Sequence, residues 1–309
     1  MLEPLGPPLG AYLGGSRAFG LGNALSDVDL TVVYAADADG QRDLDAGEVS
    51  LHCQVTTLAR LAPLADLFAH DALPTETASV TADEVVGAHR RMTDLVRGTY
   101  VSSSPELDAL RARFDVARVD RLSAHAAATL AALSVRDAAG AARSGDDLTE
   151  AAAAEVALEY AFDAALFAAG DPYRSRKFLP RRLARLLPRW LGEWRRERPV
   201  AETLLLANGL TAATLLGAGD AWTYERRGDG PCRSPYAALV ATDSGLRLAG
   251  AVELSVARPA AIVWLLADGR PLGDLAARFA EVTGRGRDEV AAFVGQAVGS
   301  LAANGALQA

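Results

Sequence analysis

A glycine-rich turn followed by a pair of acids limits what the first part of this chain can be. Leu13-Gly-Gly-Ser16 supplies the turn, ten residues separate Ser16 from Asp27, and Asp27-Val-Asp29 opens a β-rich run over 28–34. Positions i and i+2 of a strand share one face, so the two carboxylates would point the same way. Hard carboxylate oxygens fixed close together are what Mg²⁺ needs when it bridges the phosphates of a nucleotide. The small residues of the turn would let backbone N–H groups of Gly15 and its neighbours approach phosphate oxygens, with the Ser16 hydroxyl as an added donor. Loop and acids would then hold opposite ends of one metal–triphosphate group.

Residues 9–14, 28–34 and 49–55 read as strands of a small sheet, the last preceded by the turn signal Asp45-Ala-Gly47. Beyond residue 58 the period changes, and segments near 58–70, 83–98, 105–139, 148–170, 176–188 and 198–216 repeat apolar residues at helical spacing. Residues 217–235, rich in Gly, Asp, Arg and Pro, suit an exposed linker. After them come β-like runs near 236–242, 245–249 and 251–256, then helices near 259–267, 271–283 and 287–304. The expected fold class is α+β: a sheet domain over 1–100, a helical bundle over 101–216, the linker 217–235, and a small domain of three strands and three helices over 236–309.

Composition narrows the function classes. The chain of 309 residues fits two or three units, and a net charge of −8 argues against a general nucleic-acid binder. Against that acidic background, residues 174–198 carry ten Lys or Arg and two Glu, a run that suits a solvated helix face or a polyphosphate partner. The apolar stretch 151–170 is interrupted by Glu155, Glu159 and Asp163 on one helix face, which excludes a membrane span. Cys53 and Cys232 lack metal-ligand spacing. The N-terminus has no basic and apolar targeting pattern, so a cytoplasmic protein is expected.

The run from Gly15 to Asp29, Gly-Ser-Arg-Ala-Phe-Gly-Leu-Gly-Asn-Ala-Leu-Ser-Asp-Val-Asp, resembles the signature of the DNA polymerase β-like nucleotidyltransferase superfamily, in the style of its small bacterial and aminoglycoside-modifying members. The resemblance implies nucleotide contacts at Gly15 and Ser16, metal ligands at Asp27 and Asp29, and Mg²⁺ with a nucleoside triphosphate as cofactors. Such proteins usually carry a third acid on the next strand, and here His52 stands at that place with Gln54 two residues on. His52 would serve as ligand or base, mark a site that has lost turnover, or simply pack in the strand. Some antibiotic-modifying members take their base from the helical domain, which makes Glu159 a candidate beside its reading as part of a solvated face. The segment 171–180 resembles their Lys-containing segment, in which Lys177 would neutralise phosphate charge.

The tail carries Ala260-Ala-Ile-Val-Trp-Leu-Leu-Ala-Asp-Gly269, Pro271-Leu-Gly-Asp-Leu-Ala276 and Ser300-Leu-Ala-Ala-Asn-Gly305. Over 236–309 it is similar to the PqqD-like peptide-recognition domains, winged-helix units that hold leader peptides of ribosomally made, modified peptides. In that family the peptide adds a strand beside the third strand and packs on the last helix, which implies Val252, Leu254 and Val256 on one side and Ala297, Val298 and Leu301 on the other. A DNA-binding winged helix is the competing reading, disfavoured by acids among its helices. Together the parts imply a leader-peptide-binding protein of modified-peptide biosynthesis whose nucleotidyltransferase-like domain is active or degenerate. Its partners would be a precursor peptide and other biosynthetic enzymes, with neither membrane nor nucleic acid. The alternative is an active Mg²⁺-dependent nucleotidyltransferase acting on a small molecule or a peptide.

Overall fold

The computed structural model describes residues 7–23, 25–35, 40–46, 49–69, 73, 78–219 and 222–308, with side chains for all of these except 40–46, 49, 78–80 and 288. The fold is α+β and divides into two compact units, each discontinuous in sequence. The first comprises residues 1–71, 84–123 and 169–195; the second comprises 72–83, 124–168 and 196–309.

The first unit is built on a mixed five-stranded sheet of β1 (Gly10–Gly14), β2 (Val28–Tyr34), β3 (Gly40–Ala46), β4 (Val49–Thr57) and β5 (Thr99–Ser103), in the order β3-β4-β2-β1-β5. Only β2 and β4 run parallel among these neighbours; the other pairs are antiparallel. Strands β3 and β5 were not legible as separate β runs. Asp45 and Ala46 of the expected turn lie within β3, and Gly47 is outside the described residues. Between β1 and β2 the chain makes one helical turn, α1 (Gly15–Ala18). Helices α2 (Leu58–Leu67) and α3 (Ala78–Arg97) follow β4, the former capped by the Thr57 hydroxyl, which accepts the Arg60 N–H at 3.3 Å. Within α3, Val85, Val86, His89, Met92 and Thr93 recur at helical spacing and are all buried.

The single helix expected over 105–139 is two, α4 (Pro105–Arg111) and α5 (Val116–Ser144). Asp115 restarts the helix by accepting the N–H groups of Ala117 and Arg118. Next come α6 (Asp147–Ala168), a 3₁₀ turn over Arg176–Phe178, α7 (Leu179–Leu186), α8 (Trp190–Arg195) and α9 (Val200–Leu216).

In the second unit α6 and α9 pack together, and each is apolar on nearly all sides, as fits helices buried within a unit. The acidic face expected on α6 is not wholly solvated: Glu155 is exposed and Glu159 half-buried, but Asp163 is 2% exposed. Strands β6 (Cys232–Arg233), β7 (Ala237–Thr242), β8 (Gly245–Gly250) and β9 (Leu254–Val256) precede α10 (Arg258–Leu266), α11 (Leu272–Thr283) and α12 (Arg287–Ala303), and β10 (Leu307–Gln308) closes the chain against β6. The order β7-β8-β9 forms a three-stranded antiparallel sheet.

The expected linker is packed at two aromatics and one arginine that have partners, while residues 225–227 and 229 are exposed. Trp222 and Tyr224 are buried, the Trp222 ring fitting against Gly209 of α9. Arg233 is buried as well, donating to the carbonyls of Leu265, Ala267 and Thr223. Carbonyl oxygens take up the donors on its two terminal nitrogens, whereas the buried Nε has no hydrogen-bond partner. No helix among the described residues is long and apolar enough to cross a membrane.

Candidate active site

Sheet register brings the acid pair into place. Gly14, where β1 ends, lies opposite Asp29 of β2, and Asp29 in turn lies beside His52 of β4. Asp27 precedes β2, two residues from Asp29. These residues meet in a cavity of about 520 Å³ lined by Ser16, Asp27, Asp29 and His52, by Asn23, Leu25 and Ser26 of the loop before β2, and by Arg90, Tyr173, Lys177 and Phe178. The first unit supplies the whole lining.

The glycine turn is shaped by contact with Asp29. Gly15 has φ +71°, and a Cβ there would stand 1.6 Å from Asp29 Oδ2, so no other residue fits without moving the carboxylate. The Gly15 N–H donates to Asp94 Oδ1 at 3.0 Å. This N–H of the turn is thus taken up by a carboxylate. Ser16 is buried, lines the cavity, and its carbonyl accepts the N–H groups of Leu21 and Gly22, both at 2.8 Å. Asn23 and Ser26 close the loop, with the Leu25 N–H bonded to Asn23 Oδ1 and the Asn23 N–H to Ser26 Oγ.

Two arginines of the basic segment hold this loop. Arg181 donates to the carbonyl of Leu21 and Arg185 to that of Phe19, while Arg182 and Arg185 both bond the buried Asp171. Phe19 and Leu21 pack with Tyr173 and Phe178 into a small apolar cluster that backs the cavity. Lys177 lines the cavity, its ammonium 4.8 Å from the Phe178 ring centroid.

Arg90 and Asp94 are among the groups of the site that escaped the sequence reading. Arg90 of α3 places Nη2 3.4 Å from Asp29 Oδ2 and Nε 3.7 Å from Asp94 Oδ2, with its guanidinium 5.2 Å from the Tyr173 ring centroid. Asp94 is a buried carboxylate at the rear of the glycine turn. Burial pushes its carboxyl up to about 6 against the pull of the Gly15 N–H and Arg90, with the charge of Asp29 adding to the rise. In sequence the two read only as an ordinary i,i+4 ion pair on a helix. Their approach to the Gly15 turn is a tertiary fact.

Glu159 sits on α6 in the second unit and is not among the cavity-lining residues. Of the tail residues, Leu254 and Val256 lie on the edge strand β9 and are half-buried, and Val252 falls before that strand. Ala297 and Leu301 of α12 are buried in the second unit, which leaves Val298 half-buried.

Among the described residues no three His, Cys, Asp or Glu side chains group so as to hold a metal by themselves. Asp27 and Asp29 nevertheless suit a hard cation such as Mg²⁺, which takes one or two carboxylates and completes its shell with water and phosphate. Fold and site together describe an α+β protein with a polar, two-carboxylate cavity beside a glycine turn. No protein-family model matches the chain, and no curated protein matches it significantly. Among solved structures it is similar to a nucleotidyltransferase-like protein from Exiguobacterium sibiricum 255-15, at 12% identity over 68% of this chain and 69% of that one, with a TM-score of 0.40.

Proposed function

We propose that the first unit is a nucleotidyltransferase-type domain that binds a nucleoside triphosphate. The observation that carries this reading is the convergence of Ser16, Asp27, Asp29, Arg90 and Lys177 on one cavity. Mg²⁺ at Asp27 and Asp29 would neutralise phosphate charge and polarise a phosphoryl group. Arg90 and Lys177 add positive charge, and the Tyr173 and Phe178 rings offer apolar faces to a base or an acceptor. The test is calorimetry with Mg²⁺-ATP. Binding is expected in the wild type and absent in Asp27→Ala/Asp29→Ala; equal affinity in both proteins would remove the pair from the site.

Turnover is a separate question because His52 stands beside Asp29 where a third acid is expected. Nucleotide transfer is slow or absent on this reading, and His52→Asp raises it. A His52→Asp protein that binds nucleotide yet yields no more labelled product would place the deficit elsewhere, and vigorous wild-type activity would refute the degenerate-site idea.

The second reading concerns the tail and is favoured by the position of β9 at the edge of its sheet, with Ser255 exposed. An edge strand presents unpaired N–H and C=O groups that an extended peptide can match. The tail would hold a leader peptide for modified-peptide biosynthesis through β9, Val252 and Val298. Ser255→Pro removes one donor and is expected to weaken binding of a candidate leader by about 1 kcal/mol or more, measured on the full chain. Duplex DNA binding tightly and salt-sensitively in place of the peptide would overturn it.

A further inference from the structure

The Asp94 carboxylate has no part in a metal–triphosphate reading, yet it is 8% exposed and tightly enclosed. A buried carboxylate persists only where donors or cations satisfy it. Here the partners belong to the site itself: the Gly15 N–H donates at 3.0 Å, and the Arg90 guanidinium forms an ion pair with Nε 3.7 Å away. Steric contact completes the arrangement. A Cβ on Gly14 would come within 2.5 Å of the Asp94 carboxyl, and one on Gly15 within 1.6 Å of Asp29 Oδ2. The dipeptide Gly14-Gly15 is thus gripped by two carboxylates from two elements, α3 and β2. At Gly98, just past the end of α3, a Cβ would meet the Leu13 carbonyl at 2.7 Å, so the end of the helix and β1 lie close together.

Two consecutive glycines have the freest backbone a chain can offer, and a turn made of them does not keep one conformation by itself. We propose that Asp94 is the positioning residue of this site: its carboxylate fixes the Gly14-Gly15 peptide plane and holds Arg90 against Asp29, so that turn and acid pair are arranged before a ligand arrives. Asp94 is not among the residues lining the acid-pair cavity, and it acts through Gly15 and Arg90. Its consequence for affinity rests on the nucleotide reading above, whereas the anchoring of Gly15 does not.

The experiment uses the full chain labelled with ¹⁵N-glycine, in wild type, Asp94→Asn and Asp94→Leu. Asn keeps an oxygen for the Gly15 N–H but loses the charge that holds Arg90; Leu removes both. In Asp94→Leu the Gly15 amide is expected to exchange with solvent at least about tenfold faster, and Mg²⁺-ATP to bind at least about tenfold more weakly, as lost pre-organisation dictates. Asp94→Asn restores most of the Gly15 protection, with the amide proton shifted upfield by loss of a charged acceptor. An unchanged Gly15 exchange rate in Asp94→Leu, with the other glycine amides as in wild type, would overturn the proposal. Should Asp94→Leu fail to fold, Asp94→Asn decides: an unmoved Gly15 resonance sinks the idea, and an upfield shift supports it. If wild type binds no nucleotide, the nucleotide reading falls alone, because the Gly15 amide still reports on Asp94.

Discussion

Asp94 and His89 lie five residues apart on α3 and pull stability in opposite directions with pH. Burial raises the Asp94 carboxyl from 3.8 to about 6, so the folded state binds its proton more tightly than the unfolded chain. The associated stability is complete below about pH 3.8 and is lost as pH rises through 6. A shift of this size is worth at most about 2–3 kcal/mol. Asp94→Asn cannot titrate, so its stability relative to wild type should improve by that order between about pH 4 and 7.5, measured by urea unfolding across the range; a difference flat in pH would contradict it. Burial takes the His89 imidazole the other way, from 6.5 down to about 3, where Ser123 Oγ meets Nδ1 at 2.9 Å. Here stability is present above 6.5 and is lost as pH falls toward 3. NMR of the His89 ring should therefore show a neutral imidazole from about pH 8 to 5 while the protein stays folded. Gly15→Ala combines a positive φ with a 1.6 Å clash against Asp29 Oδ2. It is expected to cost about 2 kcal/mol or more and to abolish Mg²⁺-ATP binding, read by thermal unfolding and calorimetry.

At the scale of elements, α7 explains where the charge of the basic segment goes. Arg181, Arg182 and Arg185 fall on adjacent positions of one short helix, close enough to share Asp171 and the carbonyls of Phe19 and Leu21. Asp171 is fully buried, and Arg182 is 1% exposed, so this pair is a fixed post to which the loop over 19–22 is tied. Removing one partner of such a pair would strand a buried charge, which makes the half-exposed Arg185 the better probe. Arg185→Ala should leave the fold intact and speed hydrogen exchange of the Leu21 and Gly22 amides about fivefold to tenfold, the equivalent of one hydrogen bond. Unaltered exchange there would mean that the loop is held by its apolar cluster alone.

At the scale of the molecule, each unit has its own interior. The second unit depends on a tight seam between α9 and the segment that follows it: a Cβ on Gly209 would lie 2.0 Å from Cζ3 of the buried Trp222. An indole enclosed on that side cannot step away, so Gly209→Ala is expected to lower stability by about 2 kcal/mol or more through overpacking, checked by calorimetric unfolding. Loss of less than about 0.5 kcal/mol would mean that the seam yields. The same unit buries Arg233 beside Asp268, and burial brings the guanidinium down to about 10. A residue that reads as linker polarity in sequence is therefore a structural tie between the chain after α9 and the end of α10.

The sequence by itself determined those features that depend on local pattern. Alternation and β-branched residues mark β2 and β4, helical spacing marks α6, α9 and the three tail helices, and Gly15-Ser16 with Asp27-Val-Asp29 announces the cavity, because turn chemistry and i,i+2 geometry are encoded within a few residues. Strands β3 and β5 stayed illegible because each takes its identity from pairing with a distant neighbour. Only the tertiary structure decided that Trp222, Tyr224 and Arg233 pack, that Asp163, Ala297 and Leu301 are buried, and that Asp94 and Arg90 join the site. Asp94 and Gly15 are 79 residues apart. What joins them is the close approach of α3 to the end of β1, which glycines at 14, 15 and 98 make sterically possible and which no spacing along the chain expresses.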